Sequence, residues 1–395
     1  MRLDVPVELE AFRKLVRAFV EENAPGIKTK AGVRAPEEEQ LPAIRAWTAA
    51  LYEAGYLGID WPQRYGGRPD AHPLEPFIVV EEITRARTWL PIGAATLAAA
   101  AIIEHGTDEQ RDRFLPRIRA GRDIWCQLFS EPGAGSDLAA LSTRARLDGD
   151  HWVVDGQKVW TTNGHHADMG YLLARTDPSA SKHRGITAFA VAMDTPGISV
   201  RPLREITGTT DFNEVFLDGV RIPAANVLGA VDGGWRVAMS SLAHERSGVA
   251  ARGIELVAVL TDLLQLARDR TVGGRPALED SATRQAVGAL ATRVHVNTAL
   301  VSMAKSRMAA GTDAPVDALL GKIFFSETHH DLAQYGVTMQ GADGILVEGD
   351  PAVPAGGWWQ DAFLYSRAYT IAGGANEVLR NQVAERGLGL PRDPR

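Results

Sequence analysis

The period of the apolar residues changes twice along this chain of 395 residues. Up to about residue 122, and again beyond Gly234, apolar residues recur every three or four positions, which predicts amphipathic helices. The stretch between them contains short strand-like runs separated by turn-forming dipeptides, which predicts a β-domain. We therefore expect an α+β protein with a helical domain over residues 1–122, a central antiparallel β-domain over 123–229 and a helical bundle over 230–395.

Individual elements can be placed from the same pattern. Helices are predicted over Val7 to Val20, Pro42 to Ala54, Leu74 to Arg85, Leu90 to Glu104, Asp108 to Ala120, Trp235 to Gln265, Ala282 to Ala310, Val316 to Gly336 and Ala375 to Arg386. Strands are predicted over Thr143 to Leu147, Trp152 to Val154, Lys158 to Thr161, Ile186 to Met193 and Val215 to Leu217. We expect tight turns at Asp148-Gly149, Asp155-Gly156 and Asp218-Gly219, because these dipeptides readily take positive φ.

Composition excludes several classes of protein. The 42 basic and 49 acidic residues give a net charge of −7, which offers no basic face for nucleic acid and argues against a membrane surface. The single cysteine, Cys126, forms no intrachain disulfide and is expected to be buried. No apolar run is long enough for a transmembrane helix, and His165 and His166 lack a third metal ligand. We expect a soluble, cytoplasmic protein without a metal.

Two segments carry most of the chemical information. The first, Gln-Leu-Phe-Ser-Glu-Pro-Gly-Ala-Gly-Ser-Asp at residues 127–137, is an irregular turn whose N–H groups and serine hydroxyls are free to bind a polar group. The second, Asp-Gly-Gln-Lys-Val-Trp-Thr-Thr-Asn-Gly at residues 155–164, places Trp160 between hydrogen-bonding residues on a strand. Alone, the serines would cap turns and the tryptophan would pack a sheet. Together, the two segments suit a flat, heteroatom-rich cofactor such as a flavin.

In order and spacing, these segments resemble the signature and the flavin-contact strand of the acyl-CoA dehydrogenase family. The stretch Ile-Ala-Gly-Gly-Ala-Asn-Glu-Val-Leu-Arg-Asn at residues 371–381 is similar to the family's second signature, a glycine-rich turn at a helix N-terminus, and the resemblance covers essentially the whole chain. It implies the acyl-CoA dehydrogenase fold with a C-terminal four-helix bundle, and FAD as cofactor. It also implies α,β-dehydrogenation of an acyl-CoA to the 2-enoyl-CoA in lipid or acid catabolism, an electron-transferring flavoprotein as electron acceptor, and a tetramer.

The resemblance also assigns roles to particular residues. Arg270 is implied to reach the FAD pyrophosphate of a neighbouring subunit, and Ser136 to meet the substrate beside the thioester and pantetheine. The complete set of residues implied to bind the cofactor is Leu128, Phe129, Ser130, Gly135, Ser136, Trp160, Thr161, Thr162, Arg270, Gly341, Gly374, Asn376 and Glu377.

The catalytic base is assigned through a variant of the family pattern. Many members carry a glutamate just before the glycine of the second signature, where this chain has Gly373. A subset places the carboxylate on a helix of the C-terminal domain, immediately before an arginine, and this chain has Glu245 and Arg246 there. The resemblance implies Glu245 as the base that removes the α proton and Arg246 as a substrate-positioning charge. Without it, the two residues would be interpreted as an exposed charged patch.

Other departures leave alternatives open. Ala375 stands where the family usually has Thr, and Gly273 where most members have Phe, so weak or partner-shared FAD binding is one interpretation. A monooxygenase or oxidase on the same fold, or a non-catalytic FAD-sharing subunit of a mixed tetramer, are the alternative functions, and either a homotetramer or a heterotetramer fits. The small side chains over residues 93–101 suit either a roomy pocket for a branched or ring-bearing acyl group or close helix packing.

Overall fold

The computed structural model describes residues 7–250, 253–312 and 315–392, without the side chains of residues 243–250 and 315. Among these residues, five α-helices precede the first strand, as the apolar spacing predicted. They are α1 (Val7–Asn23), α2 (Leu41–Glu53), α3 (Glu75–Arg85), α4 (Ala94–His105) and α5 (Asp108–Arg119). Local sequence fixes the start of α5, because Thr107 and Gln110 form a reciprocal capping box there.

A single large sheet follows. Its strands are β1 (Trp125–Leu128), β2 (Arg144–Asp148), β3 (His151–Thr162), β4 (Met169–Arg175), β5 (Ile186–Ala192), β6 (Ile198–Leu203), β7 (Phe212–Pro223) and β8 (Val227–Leu228). They are ordered β6-β7-β3-β2-β4-β5-β8, with β1 paired to β4. The pairing is mainly antiparallel, as predicted, but β1 runs parallel to β4. The sequence analysis missed β1, β4, β6 and β8.

Two of the three predicted turns are wrong. Asp148-Gly149 joins β2 to β3 as expected. Asp155-Gly156 instead lies inside β3, and Asp218-Gly219 lies inside β7. The register between these two strands shifts between Val154 and Gly156, so the dipeptides accommodate a β-bulge rather than a chain reversal.

Helices return after the sheet and are longer than those before it. They are α6 (Gly234–Ala250), α7 (Gly253–Asp269), α8 (Ser281–Ala309), α9 (Pro315–Met339), α10 (Trp358–Ile371) and α11 (Asn376–Gln382), with the two-stranded hairpin β9 (Thr271–Val272) and β10 (Arg275–Pro276) before α8. The helix predicted from Trp235 to Gln265 corresponds to α6 and α7, and α10 was missed. Helices α7 to α10 pack through an apolar core that includes Leu263, Phe325 and Trp359. None of the helices within the described residues is long and apolar enough to cross a membrane.

Tertiary contacts divide the chain into two compact units. The first comprises Met1–Gly32, His72–Trp89 and Arg246–Arg395, and the second comprises Val33–Ala71 and Leu90–Glu245. Helices α1 and α3 therefore belong with the C-terminal helices, whereas α2, α4 and α5 belong with the sheet. The domain boundaries at residues 122 and 229 stay a prediction.

The sheet of the second unit is covered on both faces. Tyr171 and Leu173 of β4 pack into a core shared with α4, α5 and the start of α6. Leu172 and Ala174 of the same strand enter a separate core on the opposite face. This arrangement fixes the strands that carry the predicted cofactor residues.

Candidate active site

The signature loop (residues 128–137) is joined directly to β3. The N–H of Val159 donates to the carbonyl of Ser130 at 2.9 Å. The ammonium of Lys158 donates to the Phe129 carbonyl at 3.0 Å and to Glu131 Oε1 at 2.8 Å. The structure therefore brings together the two segments that the sequence analysis had linked by spacing alone.

Lys158 and Glu131 form a buried ion pair that the sequence analysis did not single out. Their side chains are 0% and 5% exposed. Burial acts to raise the pKa of Glu131, but the charge and hydrogen bond of Lys158, with donors from Thr143 and Ser142, lower it to about 2. Burial lowers the pKa of the Lys158 ammonium to about 8, against the opposing charge of Glu131. Both groups are ionised near neutral pH, so the loop is held by a charged clamp.

Trp160 is exposed by a local distortion of β3. Val159 and Trp160 lie opposite the single residue Glu214 of β7, because the register shifts between Lys158 and Thr161. Trp160 takes φ 59°, a conformation that costs energy for a residue other than glycine. Its side chain is 60% exposed, and Phe212 meets its ring edge-on with the ring centroids 6.1 Å apart. The strand therefore presents a wide aromatic surface to solvent at an energetic cost.

Burial distinguishes among the other residues assigned to this part of the site. Ser130 and Thr162 are half-buried. Thr161 is fully buried, and its carbonyl accepts from Asn213 Nδ2 at 2.9 Å. The Thr161 hydroxyl is buried and has no hydrogen-bond partner among the described residues, and its predicted hydrogen bond to a cofactor stays a prediction. Leu128 and Phe129 are also buried, and their predicted contact with the cofactor stays a prediction.

The end of the signature loop is open to solvent. Gly135, Ser136 and Asp137 are all exposed, and Asp137 forms an ion pair with Lys182. The next residue, His183, packs its ring against Trp235 with the centroids 4.7 Å apart. The predicted substrate contact at Ser136 is therefore sterically accessible, and it stays a prediction.

The C-terminal turn (residues 372–375) lies at the N-terminus of α11 in the first unit. Gly373 and Gly374 both have positive φ, at 65° and 97°. In the part of the chain that the structure describes, the N–H groups of these two glycines have no hydrogen-bond partner. Two free donors at a helix N-terminus suit an electron-rich or anionic oxygen.

Asn376 lies behind this turn rather than on it. It is buried, and its side-chain oxygen accepts from the ammonium of Lys322 at 2.9 Å. Its amide nitrogen donates to Ser326 Oγ at 3.0 Å and to Glu327 at 3.1 Å. The side chain of Asn376 is thus engaged within the protein, and its assignment to the cofactor site stays a prediction. Glu377 is exposed, so its assignment stays a prediction.

Two further predicted residues of the first unit lie close together. Arg270 donates to Asp343 at 3.0 Å, and Asp343 belongs to the short 3₁₀ segment that begins at Gly341. Gly341 is exposed with φ 59°. The Arg270 side chain is 28% exposed, so it is accessible to a phosphate that would compete with Asp343. The binding roles of Arg270 and Gly341 stay predictions.

The proposed base falls on α6. This helix runs from Gly234 to Ala250, so the backbone at Glu245 and Arg246 is helical, as predicted. The side chains of both residues lie outside the described residues. The described start of α6 is anchored by Ser240, whose hydroxyl is 2.8 Å from His105 Nε2, and by Ser241, 3.3 Å from the Tyr171 hydroxyl.

The small residues of α4 and the adjacent histidines His165 and His166 were also singled out in the sequence. Ala98, Ala99 and Ala101 of α4 are fully buried in the core, so these small side chains serve close packing. Within the described residues, no group of three or more His, Cys, Asp or Glu could hold a metal ion. His165 instead lies 3.0 Å from Asn213, and His166 lies 2.9 Å from the Pro36 carbonyl.

Helical segments before and after a sheet that carries an exposed tryptophan agree with the fold expected of a flavin-dependent dehydrogenase. Sequence models of three acyl-CoA dehydrogenase domains match the chain, the N-terminal domain at residues 6–122, the middle domain at 126–220 and the C-terminal domain at 232–388. This chain belongs to the acyl-CoA dehydrogenase family. It is an oxidoreductase whose cofactor is FAD.

Individual relatives agree with this assignment. The acyl-CoA dehydrogenase IpdE1 of Mycobacterium tuberculosis is 38% identical over 98% of this chain and 99% of its own length. The solved structure of the Tcur3481-Tcur3483 steroid ACAD is 31% identical with a TM-score of 0.89, and covers all of both chains. The ChsE4-ChsE5 complex from Mycobacterium tuberculosis is 29% identical with a TM-score of 0.85, also over the full length of both chains.

The described residues fit FAD. Trp160 supplies an exposed aromatic surface against which a flavin ring can stack, and its backbone is strained at φ 59°. The free N–H groups of Gly373 and Gly374 and the accessible Arg270 supply donors for oxygen atoms. Sequence reasoning found all of these, but it did not assign a role to the buried lysines Lys158 and Lys322; of the two, only Lys322 gives a signal, as a charged residue within an apolar stretch.

Proposed function

We propose that this chain converts an acyl-CoA thioester to its 2-enoyl-CoA by FAD-dependent α,β-dehydrogenation and passes the electrons to an electron-transferring flavoprotein. Acyl-CoA dehydrogenation follows from family membership; the product and the acceptor are the proposal. The observation that carries it is Trp160, held exposed in a strained conformation beside a loop clamped by a buried ion pair. Such a rigid aromatic surface suits a bound flavin ring.

Glu245 is proposed to remove the α proton of the substrate. Desaturation between the α and β carbons requires a base, and a carboxylate can serve if burial raises its pKa towards that of the activated substrate. Gly373 carries no side chain, so the carboxylate that many members place there must come from another element. A helical position at 245, on a helix anchored by His105 and Tyr171, provides a rigid alternative. FAD, when bound, supplies the acceptor for the hydride that leaves the β carbon.

The C-terminal turn is proposed to polarise the thioester carbonyl. Proton removal from the α carbon places negative charge on that oxygen, and preorganised N–H donors stabilise such charge. Gly373 and Gly374 provide two donors without internal partners, next to the N-terminus of α11. Ser136, exposed at the end of the signature loop, is proposed to bind the pantetheine side of the substrate, and Arg246 to position it.

The proposed substrate class is a ring-bearing acyl-CoA, and the proposed assembly is a tetramer. The substrate class rests on the similarity to the Tcur3481-Tcur3483 steroid ACAD. The ChsE4-ChsE5 complex, whose name joins two different proteins, supports a mixed tetramer as readily as a homotetramer. Shared FAD sites explain why Arg270 is accessible at the surface of the free chain.

One experiment tests the reaction. Purified protein is titrated anaerobically with straight, branched and ring-bearing acyl-CoAs while the flavin absorbance is followed, for the natural sequence, Glu245→Gln and the control Glu53→Gln, which changes an exposed carboxylate on α2. We expect bleaching by one acyl class that is lost only in Glu245→Gln, with ligand binding retained.

Addition of electron-transferring flavoprotein should then restore the absorbance faster than oxygen does. Flavin that no thioester reduces would contradict the proposal. Activity that the protein gains only when a second subunit is added would support the alternative, a non-catalytic member of a mixed tetramer. Ala375 and Gly273 are the sequence indications for that alternative.

A further inference from the structure

Lys322 is a buried cation that has no role in the proposed reaction. It lies on α9, and only 6% of the residue is exposed. Burial lowers its pKa to about 8, although the nearby charges of Glu377 and Glu327 oppose this shift. Among the described residues, no carboxylate forms an ion pair with it. A lysine in such a position costs free energy, which indicates a specific role.

Its ammonium bonds to the C-terminal turn at two points. It donates to the carbonyl of Gly374 at 2.7 Å and to the side-chain oxygen of Asn376 at 2.9 Å. The first bond fixes the peptide unit that follows Gly374, and the second fixes the first residue of α11. The ammonium therefore spans the junction at which the turn becomes a helix.

The rest of α9 supports the same junction. Ser326, one helical turn beyond Lys322, donates to Asn376 Oδ1 at 3.2 Å. Leu319 and Ile323, on the same side of α9, pack with Leu379 of α11. Leu379 also lies directly beneath Gly374, where an added Cβ would come within 2.9 Å of it. The turn is thus held from below by apolar packing and from behind by hydrogen bonds.

This anchoring leaves only one side of the turn free. The carbonyl of Gly374 is used by Lys322, whereas the N–H groups of Gly373 and Gly374 have no partner in the described chain. We propose that Lys322 is a positioning residue, which holds the C-terminal turn so that these two N–H groups point outward to bind oxygen atoms of the substrate or the cofactor. The effect of Lys322 on catalysis rests on the proposed function, whereas the anchoring of the turn by Lys322 does not.

Hydrogen–deuterium exchange of the apoprotein tests the anchoring without any catalytic readout. Lys322→Met should accelerate exchange in peptides covering residues 372–382, because the junction loses both bonds. Asn376→Ala removes the other half of the same network and should give the same signature if the first variant folds poorly. Lys305→Met is the matched control, since Lys305 pairs with Glu81 elsewhere in the first unit.

Activity of the FAD-loaded enzyme tests the consequence. If the turn positions reacting groups, Lys322→Met should slow flavin reduction by about 10²-fold with a much smaller change in KM, as expected for misplacement of about 1 Å. Unchanged exchange at residues 372–382 in both variants, or equal acceleration in Lys305→Met, would overturn the proposal. Accelerated exchange in a chain that no acyl-CoA reduces would leave the positioning role intact and refute the proposed function instead.

Discussion

The ion pair between Lys158 and Glu131 permits a quantitative prediction. In Lys158→Met, the carboxylate of Glu131 stays buried without its cation, although it still accepts from Ser142 N at 2.6 Å, Ser142 Oγ at 2.7 Å and Thr143 N at 2.9 Å. Removal of one partner from a buried pair costs roughly 3–5 kcal/mol. The three remaining donors place the expected loss of unfolding free energy at about 3 kcal/mol.

A double variant distinguishes the net stability that the ion pair contributes from the cost of leaving Glu131 unpaired. The pKa of Glu131 is lowered, which favours folding at neutral pH, whereas the lowered pKa of Lys158 opposes it. The pair as a whole therefore contributes little, and most of the loss in Lys158→Met comes from the carboxylate left unpaired. Adding Glu131→Gln to Lys158→Met should restore about 2 kcal/mol, because the amide carries no charge.

The assay is the midpoint of thermal unfolding, measured on apoprotein. For a unit of this size, about 1 kcal/mol shifts the midpoint by about 2–4 °C, so Lys158→Met should lower it by roughly 6–12 °C. The control is Lys182→Met, which breaks an ion pair whose side chains are 54% and 56% exposed and should cost under about 1 kcal/mol. The reasoning is refuted if Lys158→Met costs no more than Lys182→Met, or if the double variant is less stable than Lys158→Met.

Three further predictions concern other residues of the two units. Trp160→Gly should leave the unfolding midpoint of the apoprotein unchanged or higher, because glycine relieves the strain at φ 59°, while FAD affinity falls at least about tenfold; a lower midpoint in the apoprotein would contradict the strain argument. Arg270→Met should weaken FAD retention without changing the fold, measured by flavin release on dilution, and retention equal to that of the natural chain would remove Arg270 from the site. Glu82 is buried, which acts to raise its pKa, but Arg17, Arg85 and Arg13 lower it to about 2. It should therefore contribute about 3 kcal/mol of stability that is present above pH 4.5 and lost as pH falls towards 2, so Glu82→Gln should flatten the acid limb of stability against pH.

Most of the helices were predictable because one face is buried and the other is not, although α10 was missed. This contrast disappears in the middle of the sheet. Six of the seven residues of β4 are buried, and the same is true of β5, because cores cover both faces of the sheet there. A strand without alternation cannot be identified by its period, and β4 was missed, whereas the equally buried β5 was predicted as a strand-like apolar run.

The register within β3 could not be predicted from the sequence. In a regular strand, Lys158 and Trp160 would point to the same face, since they are two residues apart. The structure instead buries Lys158 completely and exposes 60% of Trp160, because the bulge inserts one extra residue between them. The motif spacing identified both segments of the site, but it could not locate the bulge, and so it could not separate the buried Thr161 from the accessible Thr162.

Each of the two buried lysines donates a hydrogen bond to an irregular segment of backbone. Lys158 donates to the carbonyl of Phe129 in the signature loop, and Lys322 donates to the carbonyl of Gly374 in the C-terminal turn. A loop carbonyl without a helix or strand partner must find a donor when it is buried, and a lysine can reach it from a neighbouring element. The cost of burying each ammonium is offset only where the loop must hold one conformation. We therefore infer that the two loops assigned to cofactor and substrate binding are preorganised before any ligand arrives, each within its own unit.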